Sequence, residues 1–367
     1  MEQSGQRRFI SRQLWWTIIL IIVIVGASLF AIQKDKKDTS KDNSNNNQSQ
    51  TDQQEESCSK GSVVFTAEFT DFSKIDAFQP IGSITGASRG RSYITISKGE
   101  TVPVYAPMDA NLVSIIYAFR GAGAERGEYG FKFNAGCDTT FLLDHLDSIS
   151  DELSKYAPAE PSTSTATNDS LSIPIKAGTL LGYSDGTAQG RTFDFLVTDS
   201  NLNTFHIKPS RWEWEQSLYS VCPYDLFTKD IKTKYYQKIG LSSDTGFIKA
   251  ESCGQITYDI AGTISGGWFL DDKSTDMDGE FLLIGATFSQ VDLVVKNDSE
   301  KTNLRITDYS PKVLPKDVLV GQSVCYKGFS NDWVYVHLID TDTIEIKNGN
   351  GSCPTLFSAT GAKKYYR

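Results

Sequence analysis

One pentapeptide has the spacing of a catalytic nucleophile. Residues 182–186 read GYSDG and match the pattern G-x-S-x-G, in which a serine on a sharp strand-to-helix turn attacks a carbonyl carbon. The preceding TLLGYS (179–184) predicts the strand, but the strand-like RTFDFLV (191–197) follows where the helix would have to begin. Ser, Asp and Gly are also among the residues found most often in turns. The sequence therefore predicts a turn between two strands and no nucleophile at Ser184.

An acidic run, DDKSTDMDGE (271–280), offers oxygen ligands for calcium. Setting Gly279 at the sixth position of an EF-hand loop puts Gly285 at the twelfth, where the motif needs a bidentate glutamate. The flanking helices are missing from the pattern as well. We predict a solvated hairpin tip here and no calcium site.

Side chains for metal or redox chemistry are few, since the chain has three histidines and six cysteines. No two cysteines form a CxxC pair, so the pattern of a zinc ribbon is missing. An even number of cysteines scattered along the chain favours disulfide bonds formed in an oxidising compartment. The sequence leaves the pairing open, and the candidates are Cys58, Cys137, Cys222, Cys253, Cys325 and Cys353.

The segment from Leu14 to Ile32 contains no charged residue. As a helix it spans the roughly 30 Å hydrocarbon layer of a bilayer. It predicts a single transmembrane anchor, residues 14–32, after a cytoplasmic tail, residues 1–13; a cleaved signal peptide is the alternative. Because every cysteine follows this segment, we expect a single-pass protein of the cell membrane whose C-terminal ectodomain is extracytoplasmic.

Residues 33–57 contain no aliphatic or aromatic side chain and predict a disordered linker. The first 57 residues carry equal numbers of acidic and basic side chains, which leaves the whole net charge of −9 on the remainder. This balance disfavours nucleic acid as a partner.

From residue 58 onward, short runs rich in Val, Ile, Thr, Tyr and Phe alternate with turn residues and predict β-strands. In the first part these runs are 62–69, 92–96, 101–106, 111–119, 129–133, 139–143, 172–175, 179–184 and 191–197. A short helix is predicted at 147–156, a surface loop at 157–170 and a second helix over 222–238.

After residue 239 the strand pattern resumes and predicts a small antiparallel barrel or sandwich. We therefore predict a mainly β fold with two extracytoplasmic domains, residues 58–221 and 222–367. This boundary divides the cysteines into two and four, so that each domain can form its own disulfide bonds.

Four segments of the first domain follow one another in a characteristic order: KGETVPVYAPMDANLVSI (98–115), GEYGFKFNAG (127–136), LLDHLDSIS (142–150) and IPIKAGTLLGYSDGTAQGRTFDFLV (173–197). Together they resemble the lysostaphin-like (LytM-type) zinc endopeptidases of bacterial cell walls. That family has a strand pair G-T-x-V-x-A-P-x-D-G-x-V, a strand end Y-x-H-L, a hairpin V-x-x-G-x-x-I-G and a closing strand H-x-H-F-E-V. The resemblance covers roughly residues 90–200 and implies the β-sheet fold of the family.

The resemblance also implies a zinc ion held by an early H-x-x-x-D and by the second histidine of H-x-H, and here the chain departs from the family. Residues 86–99 contain neither His nor Asp, while Thr192 and Asp194 stand at the two histidine positions of the closing strand. Only His145 matches a family histidine. A zinc site needs three or four converging ligands, so we expect no catalytic residue, no bound metal and no cofactor.

What the resemblance leaves is a ligand groove lined by His145, Asp194, Thr192 and Asp144. Asp194 alternates with Phe193 and Phe195, so its carboxyl group is expected on the face of the strand opposite both rings. Beside His145, this carboxyl group would raise the pKa of the imidazole.

A family fold without its metal ligands implies a pseudoenzyme, a non-catalytic cell-envelope module that binds peptidoglycan or an envelope protein and regulates a wall hydrolase. Two alternatives remain open. One is residual cell-wall hydrolysis through His145 and Asp194, and the other is a purely structural or adhesive surface protein that presents loops such as 157–170. Metal analysis tests the first alternative, and deletion of the loop tests the second.

Overall fold

The alternating segments of the sequence form antiparallel sheets in the computed structural model of the protein, which confirms the mainly β prediction. The structure describes residues 63–82, 90–119, 127–188, 190–202, 205–243, 246–286, 292–297, 302–307, 312–327 and 331–367. The predicted tail, anchor and linker (residues 1–57) and Cys58 lie outside these residues. No helix among the described residues has the length and apolar character needed to cross a membrane.

The first part of the described chain, up to residue 249, contains thirteen strands. They are β1 (Ile75–Phe78), β2 (Arg91–Ile96), β3 (Val102–Tyr105), β4 (Ala110–Ala118), β5 (Glu128–Gly136), β6 (Thr139–Leu146), β7 (Ser148–Ile149), β8 (Thr165–Asn168), β9 (Ile173–Ile175), β10 (Leu180–Ser184), β11 (Thr192–Asp199), β12 (Gly240–Ser243) and β13 (Gly246–Lys249). The central sheet has the order β1-β2-β11-β6-β5-β4-β8, with β9 also paired to β4. A smaller sheet, β3-β10-β7, and the hairpin β12-β13 complete this part.

Helices are short throughout the described residues. They are α1 (Asp151–Ser154), α2 (Glu215–Tyr219) and α3 (Lys229–Tyr236), with 3₁₀ turns at Phe72–Lys74, Pro209–Arg211, Pro223–Leu226 and Pro315–Asp317. The helix predicted at 147–156 is wrong in its first half, because Ser148 and Ile149 pair with β10 as β7. The helix predicted over 222–238 is confirmed only for Lys229–Tyr236, because residues 223–226 form a separate 3₁₀ turn that begins at Pro223.

Two other sequence predictions need correction. The strand predicted at 62–69 is reduced to one isolated bridge between Phe65 and Phe227, because the consecutive amides of Thr66 and Ala67 both donate to the carbonyl oxygen of Pro107 and do not alternate as in a strand ladder. The loop predicted at 157–170 contains β8, which pairs with β4.

The first core is dominated by aromatic rings. Phe69 contacts six other aromatic rings. The nearest ring centroid is that of Phe195, at 4.9 Å, and the farthest is that of Tyr224, at 6.4 Å. Such ring pairs contribute about 0.5–1.5 kcal/mol beyond the apolar area that they bury. The same core includes Tyr224, Tyr235 and Cys253, so residues beyond 222 pack with the first sheet. A domain boundary at residue 222 stays a prediction.

The second part forms one antiparallel sheet with the strands β14 (Gly266–Phe269), β15 (Phe281–Ala286), β16 (Asp292–Asn297), β17 (Thr302–Thr307), β18 (Ser323–Lys327), β19 (Asp332–Leu338), β20 (Thr343–Asn350) and β21 (Lys363–Tyr366). Their order is β17-β16-β15-β14-β21-β20-β19-β18. A separate core, centred on Trp268, Tyr326 and Tyr365, covers it. Closure into a barrel or sandwich stays a prediction.

The acidic run 271–280 connects β14 to β15, as a hairpin tip should. The carboxyl group of Asp271 accepts hydrogen bonds from the backbone amides of Lys273 and Ser274. Asp276 is buried and accepts hydrogen bonds from the amides of Glu213 and Trp214. Asp271 therefore stabilises the turn itself, whereas Asp276 connects the tip to residues 213–214, so the prediction of a fully solvated tip is wrong for Asp276.

Two disulfide bonds have both cysteines among the described residues, Cys222 to Cys253 and Cys325 to Cys353. They confirm the prediction of disulfide bonds for these four residues. Each bond closes a loop of moderate length, since the sequence separations are 31 and 28 residues.

Replacing both Cys325 and Cys353 by serine should lower the free energy of unfolding by about 3–4 kcal/mol, because the unfolded chain regains the entropy of the open loop. Urea denaturation without reductant measures this loss. Ser352→Ala, in the same turn, is the control and should leave the midpoint unchanged. A loss below about 1 kcal/mol would show that the bond adds little to the second sheet.

Candidate functional site: a buried charge cluster

Five charged side chains meet on one face of the central sheet: Arg91, Glu128, Asp144, His145 and Asp194. They come from β2, β11, β6 and β5, which are consecutive neighbours in the sheet. We call them the charge cluster. Its formation depends on the register of four strands, so residues far apart in sequence reach one point.

Strand alternation places Asp194 in the cluster. Phe193 and Phe195 on either side are fully buried in the aromatic core, so the carboxyl group of Asp194 points to the opposite face. In the sheet register Asp194 lies directly across from Asp144. The expected orientation of Asp194 is therefore what the structure shows.

A β-bulge brings both Asp144 and His145 to this face. On β6, Leu143 pairs with Phe131 and Leu146 pairs with Tyr129, so two residues of β6 face the single Gly130 of β5. His145 has a φ of +67°, a left-handed conformation that costs a non-glycine residue about 1–3 kcal/mol. The bulge breaks the alternation of the strand, and consecutive side chains converge.

Hydrogen bonds to β10 hold the bulge. The hydroxyl group of Ser184 donates to the carbonyl oxygen of His145 at 2.9 Å and accepts from the amide of Gly186 at 3.1 Å. Gly130 adds space, because a Cβ atom at this position would lie 2.8 Å from Oδ1 of Asp144. The serine of the G-x-S-x-G pattern is thus fully buried and supports the backbone, and the predicted turn between β10 and β11 is confirmed.

The guanidinium group of Arg91 joins the two aspartates. Its Nη1 atom lies 2.9 Å from Oδ2 of Asp144 and 3.1 Å from Oδ2 of Asp194. The Asp side chains are only 5% and 4% exposed. Burial acts to lower the pKa of Arg91, but the two carboxylates outweigh it and raise this pKa, so Arg91 stays cationic.

His145 is bound on both ring nitrogens. Nδ1 lies 2.6 Å from Oε2 of Glu128, and Nε2 lies 3.4 Å from Oδ2 of Asp194 and 3.9 Å from Oδ2 of Asp144. Burial alone would lower the pKa of His145, but hydrogen bonds to Asp194 and Glu128 and the charges of both aspartates raise it to about 10. The ring is therefore an imidazolium at neutral pH, and both nitrogens act as donors.

The residues present do not fit a zinc ion. One ligand atom each from Asp144, His145 and Asp194 lies within 4.8 Å of the others, which is close enough for a shared cation. However, the same two Oδ2 atoms are already bonded to Arg91, and an imidazolium has no lone pair to offer a metal. Arg91 and a zinc ion would compete for one position.

The structure brings together three of the four expected groove residues, Asp144, His145 and Asp194. Thr192 lies two residues before Asp194 on β11, opposite Thr95 of β2, and the ion pairs of the cluster form without it. The sequence reasoning missed Arg91 and Glu128. A signal for Arg91 exists, because Arg91 and Thr95 have the spacing of the family pattern H-x-x-x-D, with a cation at its first position.

A pocket of about 300 Å³ lies at the adjoining ends of β5 and β6. Its lining consists of Tyr117, Gly127, Tyr129, Asp147, Ser148, Ile149 and Glu160, none of which is basic. The rings of Tyr117 and Tyr129 meet edge to face at 5.2 Å, and the hydroxyl group of Tyr129 donates to Glu160. Two aromatic rings and two carboxyl groups make this pocket suitable for a cationic group.

A scan of the chain against models of known protein families gives no match, and a search of curated proteins gives none either. The resemblance to lysostaphin-like endopeptidases therefore stays a prediction that rests on the four sequence segments.

Ser184→Ala should lower the free energy of unfolding by about 1–3 kcal/mol, because the carbonyl oxygen of His145 and the amide of Gly186 lose their common partner. Chemical denaturation measures the change. Ser154→Ala, whose hydroxyl group is exposed and bonds only within its own turn, is the control and should cost less than about 0.5 kcal/mol. Equal effects of the two substitutions would contradict a supporting role for Ser184.

The stability of the protein should fall from neutral to alkaline pH in a way that depends on His145. Its pKa is about 10 in the folded state against 6.5 for a free imidazole. A group whose pKa is raised by folding stabilises fully below its unfolded pKa, and the contribution is lost as pH rises through the folded pKa. Thermal unfolding between pH 6 and pH 10 should therefore show a steeper fall for the wild type than for His145→Gln, and parallel curves would refute the assignment.

Proposed function

We propose that the protein is a non-catalytic cell-envelope module, anchored to the membrane through residues 14–32, that binds peptidoglycan or an envelope protein and regulates a wall hydrolase. The observation that carries the proposal is the guanidinium group of Arg91, bonded to both Asp144 and Asp194. In the family that residues 90–200 resemble, this end of the sheet would hold the catalytic cation.

Peptide hydrolysis requires a polarised carbonyl group and an activated nucleophile. Arg91 offsets one of the two negative charges of the aspartates, and the imidazolium of His145 cannot accept a proton from water at neutral pH. Ser184 is fully buried beneath the cluster and bonded to the backbone. These contacts support a structural role for the cluster and leave neither His145 nor Ser184 free to act in hydrolysis.

The adjacent pocket supports binding. Asp147 and Glu160 supply carboxyl groups, and Tyr117 and Tyr129 supply aromatic rings, a combination that favours a protonated amine through charge and cation–π attraction. Peptides of the bacterial wall carry such amines on their diamino acids. We therefore propose that an amine-bearing peptide is the part of the ligand that enters the pocket.

The disulfide bonds Cys222–Cys253 and Cys325–Cys353 support an oxidising compartment. An extracytoplasmic position brings the sheet to the wall, and the linker 33–57 gives it a reach on the order of 25–30 Å from the bilayer. Anchor, linker and binding sheet together are the arrangement expected of a regulator that acts beside the membrane.

The full chain in detergent should co-sediment with purified cell walls and release no peptide from them. Glu160→Gln should weaken binding roughly three- to tenfold, because one carboxylate contact to the amine is lost. Glu251→Gln, an exposed acid outside the pocket, is the matched control and should bind as the wild type does. Loss of all binding to walls and envelope proteins would refute the proposal, and released peptide would favour the hydrolase alternative.

A further inference from the structure

The charge cluster contains a set of side chains with the spacing of metal ligands. Four ligands at about 2.0–2.2 Å from a tetrahedral zinc ion lie roughly 3.3–3.6 Å from one another. Nε2 of His145 lies 3.4 Å from Oδ2 of Asp194 and 3.9 Å from Oδ2 of Asp144. Small side-chain movements would bring all three atoms to one ion.

A second feature of the cluster is that one carboxylate oxygen of Asp194 has capacity to bind a further donor or cation. Asp194 is 3% exposed, and its Oδ1 atom is buried without a hydrogen-bond partner. A buried carboxylate oxygen is normally satisfied by donors or by a metal. Arg91 therefore satisfies only one of the two oxygens that Asp194 presents.

We infer that Arg91 replaces a divalent cation in this protein, and that removing its guanidinium group lets Asp144, His145 and Asp194 bind a metal ion, with the proton on Nε2 of His145 released to solvent as the ion binds. The inference goes beyond the proposed function, because it concerns what holds the cluster together, whichever ligand the protein binds. Arg91 holds the two facing carboxyl groups of β6 and β11 together, as a bound ion would.

Arg91 and a metal ion cannot occupy the cluster together, because both would bind Oδ2 of Asp144 and Oδ2 of Asp194. Nη1 of Arg91 lies at hydrogen-bond distance from Oδ2 of both aspartates. A metal ion bound to these atoms would lie within a few ångströms of the guanidinium group, and two cations at that separation repel each other strongly. The wild type should therefore reject the ion that a variant without Arg91 accepts.

The experiment uses the full chain, stripped with a chelator and titrated with Zn²⁺ or Co²⁺ alone. Arg91→Ala should bind one ion per chain, give the visible absorption of bound Co²⁺, and gain about 5 °C in Tm at saturating zinc. The wild type should show neither change. Arg91→Lys keeps a cation beside the aspartates and should also bind no metal.

A double variant identifies the ligands. Arg91→Ala with Asp194→Ala should lose the zinc-dependent rise in Tm, because only two of the three ligand side chains remain. If Arg91→Ala does not fold without metal, Arg91→Gln, which keeps an amide donor near Asp144, undergoes the same titration.

Two results would overturn the inference. Stoichiometric metal in the wild type would show that Arg91 does not take the place of the ion, and no zinc-dependent change in either Arg91→Ala or Arg91→Gln would show that the ligand set is incomplete. Wall binding by the wild type, measured separately, reports on the proposed function and is independent of both results.

Discussion

The pairing of Arg91 with Asp144 and Asp194 is the interaction on which the central sheet depends. Two nearly buried carboxyl groups lie opposite each other on neighbouring strands, and without a cation they would repel. Taking charges out of water costs several kcal/mol per ion, and removing one partner of a buried pair typically destabilises a protein by about 3–5 kcal/mol. The register of β2, β11 and β6 is therefore tied to one guanidinium group, because a shift of one residue would turn a carboxyl group toward the aromatic core.

The bulge at His145 shows how this arrangement is maintained against local strain. A left-handed histidine is unfavourable, yet it lets β6 direct two polar side chains to one face. The Ser184 hydroxyl group and the Glu128 carboxyl group fix the two ends of the residue, its carbonyl oxygen and its ring. Strain in the backbone is offset by contacts from two different sheets, so the geometry is specified by tertiary structure and not by β6 alone.

This dependence explains which parts of the protein could be predicted from the sequence. Alternation of Phe193, Asp194 and Phe195 suffices to orient Asp194, because a regular strand has a fixed period. The convergence of Asp144 and His145 could not be derived in this way, since a bulge leaves no mark in the pattern of LLDHL. Arg91 was missed for a different reason. Arginine is not a metal ligand, so the family's metal-ligand pattern does not point to Arg91, although its positive charge is what balances the two aspartates.

Local sequence patterns also predict helix or loop for two segments that form strands, because contacts with neighbouring strands decide their conformation. The sequence around Ser148 and Ile149 predicts a helix, but pairing with β10 outweighs this local preference. Thr165–Asn168 reads as loop because it is polar, yet it adds a strand to the edge at β4. Both segments are short, and for short segments contacts with neighbouring strands outweigh intrinsic propensity.

The same strand contacts connect the charge cluster to the pocket beside it. The amide of Asp147 donates to the carbonyl oxygen of Tyr183 on β10, one residue from the serine that holds His145. Glu128, which binds the imidazolium, immediately precedes Tyr129 of the pocket lining. A cluster fixed by ion pairs therefore also fixes the walls of the pocket before any ligand arrives. Since a preformed site loses less conformational entropy on binding, the buried ion-pair network would favour the binding of a ligand in this pocket by keeping the pocket walls in one shape.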